Sequence, residues 1–312
     1  MGIHSFYASV LSPFIRSLPL GERLDMALVA FNANFQFAVS IYAASGSRIF
    51  SDREVGEIFD GMDEESIRLA RRFMHRQFCA PPNSLMVHPK YFYDPDEKAE
   101  YRRMKPHFEK AVRKYHLPRH KVGPESLYYH HGLRFAPDPV KRRIAGTVFA
   151  DVGGWLGDSA MVFQQYDPSL TVIFEPGENN RKLLVRNLAR CGIRPEKYLL
   201  RPFALSDADG IAEGMECRCL DDVAADCPGR FGVLKADVEG MGLRFVQGAK
   251  ETILRDRPLL SLAIYHNADE FCGIYRTMKG WDIDYHFEIK QFSPFMSHGE
   301  LSLLAYPAEW LK

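Results

Sequence analysis

From Thr147 onward, short apolar runs alternate with stretches of helical period. The runs at 147–151, 170–175, 198–203, 231–237, 259–265, 281–287 and 301–306 predict seven strands. Helices are predicted between them at 158–166, 178–191, 243–255 and 268–278. Strand, helix, strand in regular succession implies parallel pairing, because only a crossover lets the next strand run the same way. The runs are apolar almost throughout, as in strands covered on both faces. No helix pattern separates the last two, so the sheet is expected to finish with an antiparallel strand. The pattern is that of an α/β, Rossmann-like sheet of seven strands, mostly parallel.

The first 125 residues read differently, as helices. Between Met26 and Ser47 there is no charged residue, a length that spans a bilayer. Leu28, Phe31, Phe35 and Val39 nonetheless recur on one helical face, and Asn32, Gln36 and Ser40 fall on another. An amphipathic helix packed on protein is therefore expected, with no membrane span. A second helix is predicted over 63–78, with Asp63 as its cap and Glu64 and Glu65 in the first turn. A charged helix over 96–115 is expected to break near Pro106. Residues 117–141 hold four prolines, two glycines and three histidines and read as a connecting stretch. The expected organisation is a mostly helical region at 1–125 (acceptor cover or oligomerisation face), a linker at 126–145 and an α/β domain at 146–312.

Composition narrows the class. With 46% hydrophobic and 26% charged residues, disordered and coiled-coil classes are excluded. Forty basic and forty acidic residues balance, which argues against nucleic acid or an anionic membrane as partner. The six cysteines (Cys79, Cys191, Cys217, Cys219, Cys227, Cys272) show no CxxC spacing. Reduced thiols in a cytoplasmic protein are expected, and no metal site. No secretory signal pattern opens the sequence.

The chemistry concentrates where strands end. Asp151 closes the first strand. Gly153, Gly154, Trp155, Leu156 and Gly157 then form a glycine-rich turn that opens a helix at Asp158 and Ser159. Gly153 and Gly157 permit tight turning and close approach of a ligand. Trp155 stands two residues past Gly153, so the GxGxxG opening for a dinucleotide pyrophosphate is missing. An acid at the head of the turn suits a positively charged ligand. Glu175, followed by Pro176, lies 24 residues after Asp151 at the end of the second strand, where a carboxylate can accept from both hydroxyls of a ribose. Ala204, Leu205 and Asp207 follow the third strand, either bracketing an adenine or forming a plain turn. Lys235 and Asp237 end the fourth strand on one face, as a mutual ion pair or beside an acceptor hydroxyl. Tyr265 and His266 end the fifth. His130 and His131 lie in the connecting stretch and offer acceptor contacts or none.

The set Asp151–Ser159, Phe174–Pro176, Ala204–Asp207, Leu220–Asp222, Lys235–Gly240, Gly248–Ala249 and Tyr265–His266 resembles, in order, the FkbM family of S-adenosyl-L-methionine (SAM)-dependent methyltransferases over roughly residues 145–306. Asp63–Ser66 and Lys90–Phe92 resemble the helical N-terminal region of longer members. The resemblance implies a class I methyltransferase sheet, O-methylation of a hydroxyl on a sugar, glycan or related natural product, and SAM contacts at Asp151, Gly153, Gly157, Asp158 and Glu175. On this reading Asp237, His266 and Lys235 are the catalytic candidates. Gly154, Trp155, Ser159, Pro176, Ala204, Leu205 and Asp207 complete the cofactor set. Glu239, Tyr265, His130 and His131 face a small-molecule or glycan acceptor, and a homodimer is compatible. One departure stands out: the family often carries an acid two residues after Glu239-Gly240, and here that residue is Gly242. A non-catalytic binding module of the same fold and an NAD-dependent dehydrogenase are the rival readings.

Overall fold

The computed structural model describes residues 50–79, 94–212, 214–292 and 300–312, together with Phe37, 40–41 and 43–46. Most of the apolar 26–47 helix, and Lys90–Phe92, fall outside these residues.

Local rules set the helix starts. Ser51 caps α1 (Asp52–Ile58) in a reciprocal box with Glu54, whose carboxylate accepts from Ser51 N at 2.8 Å. Asp63 Oδ1 accepts from Ser66 N at 2.9 Å and caps α2 (Glu64–Cys79), as expected. The helix α3 (Pro95–Tyr115) runs through Pro106 without the expected break. Its buried Met104 and Phe108 flank the proline, and Glu97 near its start receives both terminal nitrogens of Arg76 at 2.6 and 2.7 Å. This anchoring outweighs the one backbone bond that a proline forfeits.

The stretch expected to be a linker is core. It forms α4 (Pro124–Leu127) and α5 (Asp138–Ile144). Leu127, Tyr128, Tyr129, Leu133, Val140 and Ile144 are buried in one cluster with Phe149, Phe163, Leu304 and Tyr306. The prolines there start short helices and do not space domains. The described part of the N-terminal region likewise packs on the sheet: Phe37, Phe59 and Phe73 surround Phe271 with ring centroids 5.1–5.9 Å from it.

The α/β part follows in order: β1 (Val148–Val152), α6 (Asp158–Phe163), β2 (Leu170–Phe174), α7 (Glu178–Arg190), β3 (Tyr198–Arg201), β4 (Ala204–Leu205), β5 (Gly210–Ala212), β6 (Met215–Arg218), α8 (Leu220–Val223), β7 (Phe231–Ala236), α9 (Gly242–Gln247), α10 (Lys250–Asp256), β8 (Leu259–Ala263), α11 (Ala268–Lys279), β9 (Tyr285–Gln291) and β10 (Leu301–Pro307). The main sheet is ordered β3-β2-β1-β7-β8-β10-β9, and a small sheet β4-β6-β5 stands apart. All neighbours in the main sheet from β3 to β8 are parallel; β10 is antiparallel to both β8 and β9. The seven strands and the antiparallel end are those expected, although the sixth lies four residues later than 281–287.

Alternation splits the sheet between two cores. Val148, Ala150 and Val152 belong to the core that also holds residues of α2, α9 and α11, and Phe149 to the one that holds residues of α5 and α6. Asp151 shares the second face. The helix expected over 243–255 is two helices, divided at Gly248 and Ala249; a Cβ on Gly248 would lie 1.9 Å from the carbonyl oxygen of Ser206, so only glycine fits there. Asp221 caps the second of them from a distance, accepting from Glu251 N at 3.0 Å and Thr252 N at 2.7 Å. Asp221→Ala should therefore lower stability by about 0.5–2 kcal/mol, the usual worth of an N-cap. Urea denaturation of the variant checks this, and an unchanged midpoint would refute it. No described helix is long and apolar enough to cross a membrane.

Candidate active site

The carboxyl ends of β1 and β7 meet where the strand order reverses direction, the position at which open α/β sheets bind ligands. The glycine-rich turn leaves β1 here. Gly153 and Gly154 donate to Phe174 O at 3.0 and 3.1 Å, and φ is positive at Gly153 (83°), Trp155 (43°) and Gly157 (81°). The glycines answer to protein neighbours. A Cβ on Gly153 would stand 2.1 Å from Asp237 O, and one on Gly154 would stand 2.2 Å from the Ile173 side chain. The close approach expected of a ligand is thus made at these two atoms by β2 and the end of β7. The indole of Trp155 remains 46% exposed beside the turn.

Lys235 holds the turn from beneath. Its ammonium donates to Asp151 Oδ1 at 3.0 Å, Gly153 O at 2.9 Å and Val152 O at 3.4 Å. The expected alternatives for Lys235, a pair with Asp237 or contact with an acceptor, both give way: the lysine is 3% exposed and its three protons are used. Asp151 is fully buried, and burial outweighs the lysine, pushing its carboxyl up to about 6. Its Oδ2 has no hydrogen-bond partner among the described residues.

Glu175 stands against the same turn. Oε2 accepts from Trp155 N at 2.9 Å; Oε1 accepts from Gly177 N at 2.8 Å and Asn180 Nδ2 at 3.2 Å. Asp158 is buried at the start of α6 with its carboxyl raised by burial, and Ser159 Oγ lies 2.8 Å from His131 Nε2. His131 is kept neutral by burial and by the Lys235 charge. The two histidines separate. His130 turns to Tyr166, 2.7 Å from its hydroxyl, beyond the far end of α6 and roughly 12 Å along the helix direction from Asp158. It is not part of this site. The third motif also disperses: Leu205 is buried in the core, and Asp207 is exposed in a 2.8 Å pair with Arg244.

Beyond β7 and β8 the expected residues converge. His266 Nε2 lies 3.2 Å from Asp237 Oδ1, an ion-pair distance off good hydrogen-bond alignment, and Nδ1 lies 2.8 Å from Glu270 Oε2. Burial opposes charge on His266, but these two carboxylates hold its pKa well above the ordinary histidine value. Burial likewise pushes Asp237 up, and the close contact and charge of His266, with the charge of Lys235, bring it well below the usual carboxylate range. The Tyr265 hydroxyl sits 3.3 Å from Asp237 Oδ1 and 3.3 Å from Glu300 Oε1. Glu239, at φ 51°, is exposed at the rim, 3.9 Å from His266 Nε2.

Three acids were not foreseen. Glu270 occupies the space left by the missing acid at 242: it accepts from Gly242 N at 2.9 Å, and a Cβ on that glycine would stand 2.7 Å from its Oε1. Its place at the third position after the Asn267 cap was the one available signal. Glu125 and Glu300 come from segments 175 residues apart, with no local pattern. Burial raises Glu125 to about 8, and burial with the charges of Glu125 and Asp237 raises Glu300 well above its ordinary value.

Residues 202–300 match the family model described as the methyltransferase FkbM domain. Among solved structures, the crystal structure of methyltransferase FkbM from Methylobacillus flagellatus KT superposes with a TM-score of 0.56 at 15% identity. The match covers 81% of this chain and 58% of that one, less than two thirds of its length. A putative O-methyltransferase from Klebsiella pneumoniae gives 0.47 at 15% identity over 70% of this chain and 99% of that one. The O-methyltransferase TomG from Streptomyces achromogenes, solved with SAM, gives 0.46 at 14% over 71% and 99%. No curated protein matches the sequence. The chain thus carries a match to the FkbM methyltransferase domain over residues 202–300 and shares its fold with the Methylobacillus flagellatus structure.

Proposed function

We propose that the protein is a SAM-dependent O-methyltransferase acting on a hydroxyl of a sugar, glycan or related natural product. The observation that carries this reading is the carboxylate of Glu175 seated against the glycine-rich turn at the switch point, one strand from the buried Oδ2 of Asp151, which has no hydrogen-bond partner among the described residues. Negative groups around this edge, with few cations left unpaired to meet them, fit a ligand bearing positive charge and ribose hydroxyls. Glu175, the backbone of Gly153–Trp155 and Asp158 would hold SAM. When bound, SAM supplies a methyl group on a positively charged sulfur, a leaving group that needs no further activation.

The chain's own residues then align the acceptor and take its proton. Alignment alone lowers a barrier by roughly 7–11 kcal/mol. Asp237 faces the acceptor side as hydrogen-bond acceptor for the reacting hydroxyl. His266, charged and bonded at Nδ1 to Glu270, lies 3.2 Å from Asp237 and acts by its charge on that carboxylate, not as the base. Lys235 shapes the turn from below the site.

Ligand-induced stabilisation tests the cofactor. S-adenosylhomocysteine at about 100 times its dissociation constant should add about 2.7 kcal/mol to stability, and NAD should add nothing. A melting temperature unmoved by S-adenosylhomocysteine would refute the proposal. Transfer of radiolabelled methyl from SAM across a panel of sugar and glycolipid acceptors tests the reaction. Binding without transfer to any acceptor would favour the non-catalytic module.

A further inference from the structure

His266 holds a buried donor without an acceptor. Both of its ring nitrogens face carboxylates. Nδ1 lies 2.8 Å from Glu270 Oε2; Nε2 lies 3.2 Å from Asp237 Oδ1 and 3.9 Å from Glu239 Oε2, so each nitrogen carries a proton. Nδ1 gives its proton to Glu270. Nε2 is buried and makes no hydrogen bond to the described residues, Asp237 standing near it but out of line. The ring is not free to turn toward another partner. Glu270 also accepts from His266 N at 3.2 Å and is itself held by Gly242 N at 2.9 Å, and the Tyr265 ring lies against the imidazole with centroids 4.1 Å apart. A buried donor left without an acceptor costs free energy, so its persistence in a folded protein calls for a reason. The edge that Nε2 faces is open: the Asp237 side chain is 25% exposed, and Glu239 stands at the rim.

Resting on the methyltransferase reading above, we propose that His266 Nε2 binds a second oxygen of the acceptor, next to the reacting one. The enzyme then selects a hydroxyl whose neighbouring carbon also bears oxygen, as in a vicinal diol. Asp237 accepts from the reacting hydroxyl, and the Nε2–H beside it donates to the neighbour. A donor and an acceptor 3.2 Å apart match two oxygens that are equally close, as hydroxyls on adjacent carbons are. One oxygen serving both groups would have to meet them at roughly 70° to each other at hydrogen bonds of ordinary length, far from the directions of its proton and lone pairs. It would also spend on His266 a lone pair beside the one that attacks the methyl group. An ammonium in the second position has no lone pair to offer and is repelled by the imidazolium. The preorganised donor thus specifies an oxygen, at a fixed distance from the reacting one.

The test is a cycle between enzyme and acceptor. For the acceptor found by the radiolabel panel, mass spectrometry of the product locates the methylated oxygen. The comparison compound is the same acceptor with the oxygen on the adjacent carbon replaced by hydrogen. With wild type, its kcat/KM should be lower by roughly 10- to 150-fold, the worth of one hydrogen bond to a charged donor. His266→Phe keeps a flat ring and removes the donor, and should use the two compounds equally. His266→Gln keeps a neutral donor and should retain part of the preference. If His266 acts only by its charge on Asp237, both variants slow the two compounds alike and the wild-type ratio persists, which would overturn the proposal. So would a wild type that uses both compounds equally, or one that methylates a hydroxyl with no oxygen on an adjacent carbon. These last two are read from wild type and hold even where a variant fails to fold. Failure of wild type to bind S-adenosylhomocysteine, or to methylate any acceptor, would overturn the methyltransferase reading and this proposal with it. Binding and transfer alongside any of the earlier adverse outcomes would overturn the diol selection alone.

Discussion

Lys235→Met should destabilise the fold by up to about 2.7 kcal/mol at pH 8, the limit set by a carboxyl that titrates at about 6 with the lysine present and takes up a proton without it. At roughly 2–4 °C per kcal/mol, the melting temperature should fall by up to about 5–11 °C. The loss comes from Asp151, fully buried and facing this one cation at 3.0 Å. Methionine fills the volume, so packing contributes little. The pH dependence has a definite sign. The folded carboxyl of Asp151 titrates at about 6, above its unfolded value, so its ionised form costs the native state free energy as pH rises. Removing Lys235 enlarges that cost where Asp151 is ionised and leaves it absent where Asp151 is protonated. The difference between variant and wild type should therefore shrink steadily below pH 6 and nearly vanish by pH 4. Thermal melts across this range decide the matter. A penalty independent of pH would show that Lys235 acts by packing or by its bonds to Val152 O and Gly153 O, and not through the pair.

Glu175→Ala should abolish the stabilisation by S-adenosylhomocysteine. It also strips acceptors from the N–H groups of Trp155 and Gly177, each costing about 1–3 kcal/mol if left unsatisfied. Glu175→Gln separates the two effects, because one amide oxygen remains to accept. Loss of charged hydrogen bonds to ribose, about 1.5–3 kcal/mol, should weaken S-adenosylhomocysteine by roughly 10- to 150-fold in the glutamine variant while the apo melting temperature changes far less. Calorimetric titration measures the first and a melt without ligand the second. Wild-type affinity in Glu175→Gln would remove Glu175 from the ligand site and leave it a brace of the turn.

Gly153 shows how a correct position can carry a different reason. Its sequence context marks a tight bend, and the bend is there at φ 83°. What crowds its missing side chain is the carbonyl of Asp237. Asp237 and His266 were legible as residues at strand ends, and they do come together. Their charge states were not legible, because those depend on Glu270, Lys235 and Tyr265 arriving from other elements. Pro106 misled for the same kind of reason: a local cost of one hydrogen bond was set against tertiary anchoring that no window of sequence displays.

The sequence by itself determined the order of strands and helices, the glycine turn after Asp151, the acid at the end of β2 and the antiparallel close of the sheet. All of these follow from side-chain periodicity and backbone sterics within a few residues. Only the tertiary structure decided that Lys235 serves Asp151, that His130 leaves the site while His131 stays, that 126–145 is core, and that Glu125, Glu270 and Glu300 surround the Asp237 edge. Those outcomes turn on burial and charge, which depend on whatever the fold brings within a few ångströms, however far apart along the chain.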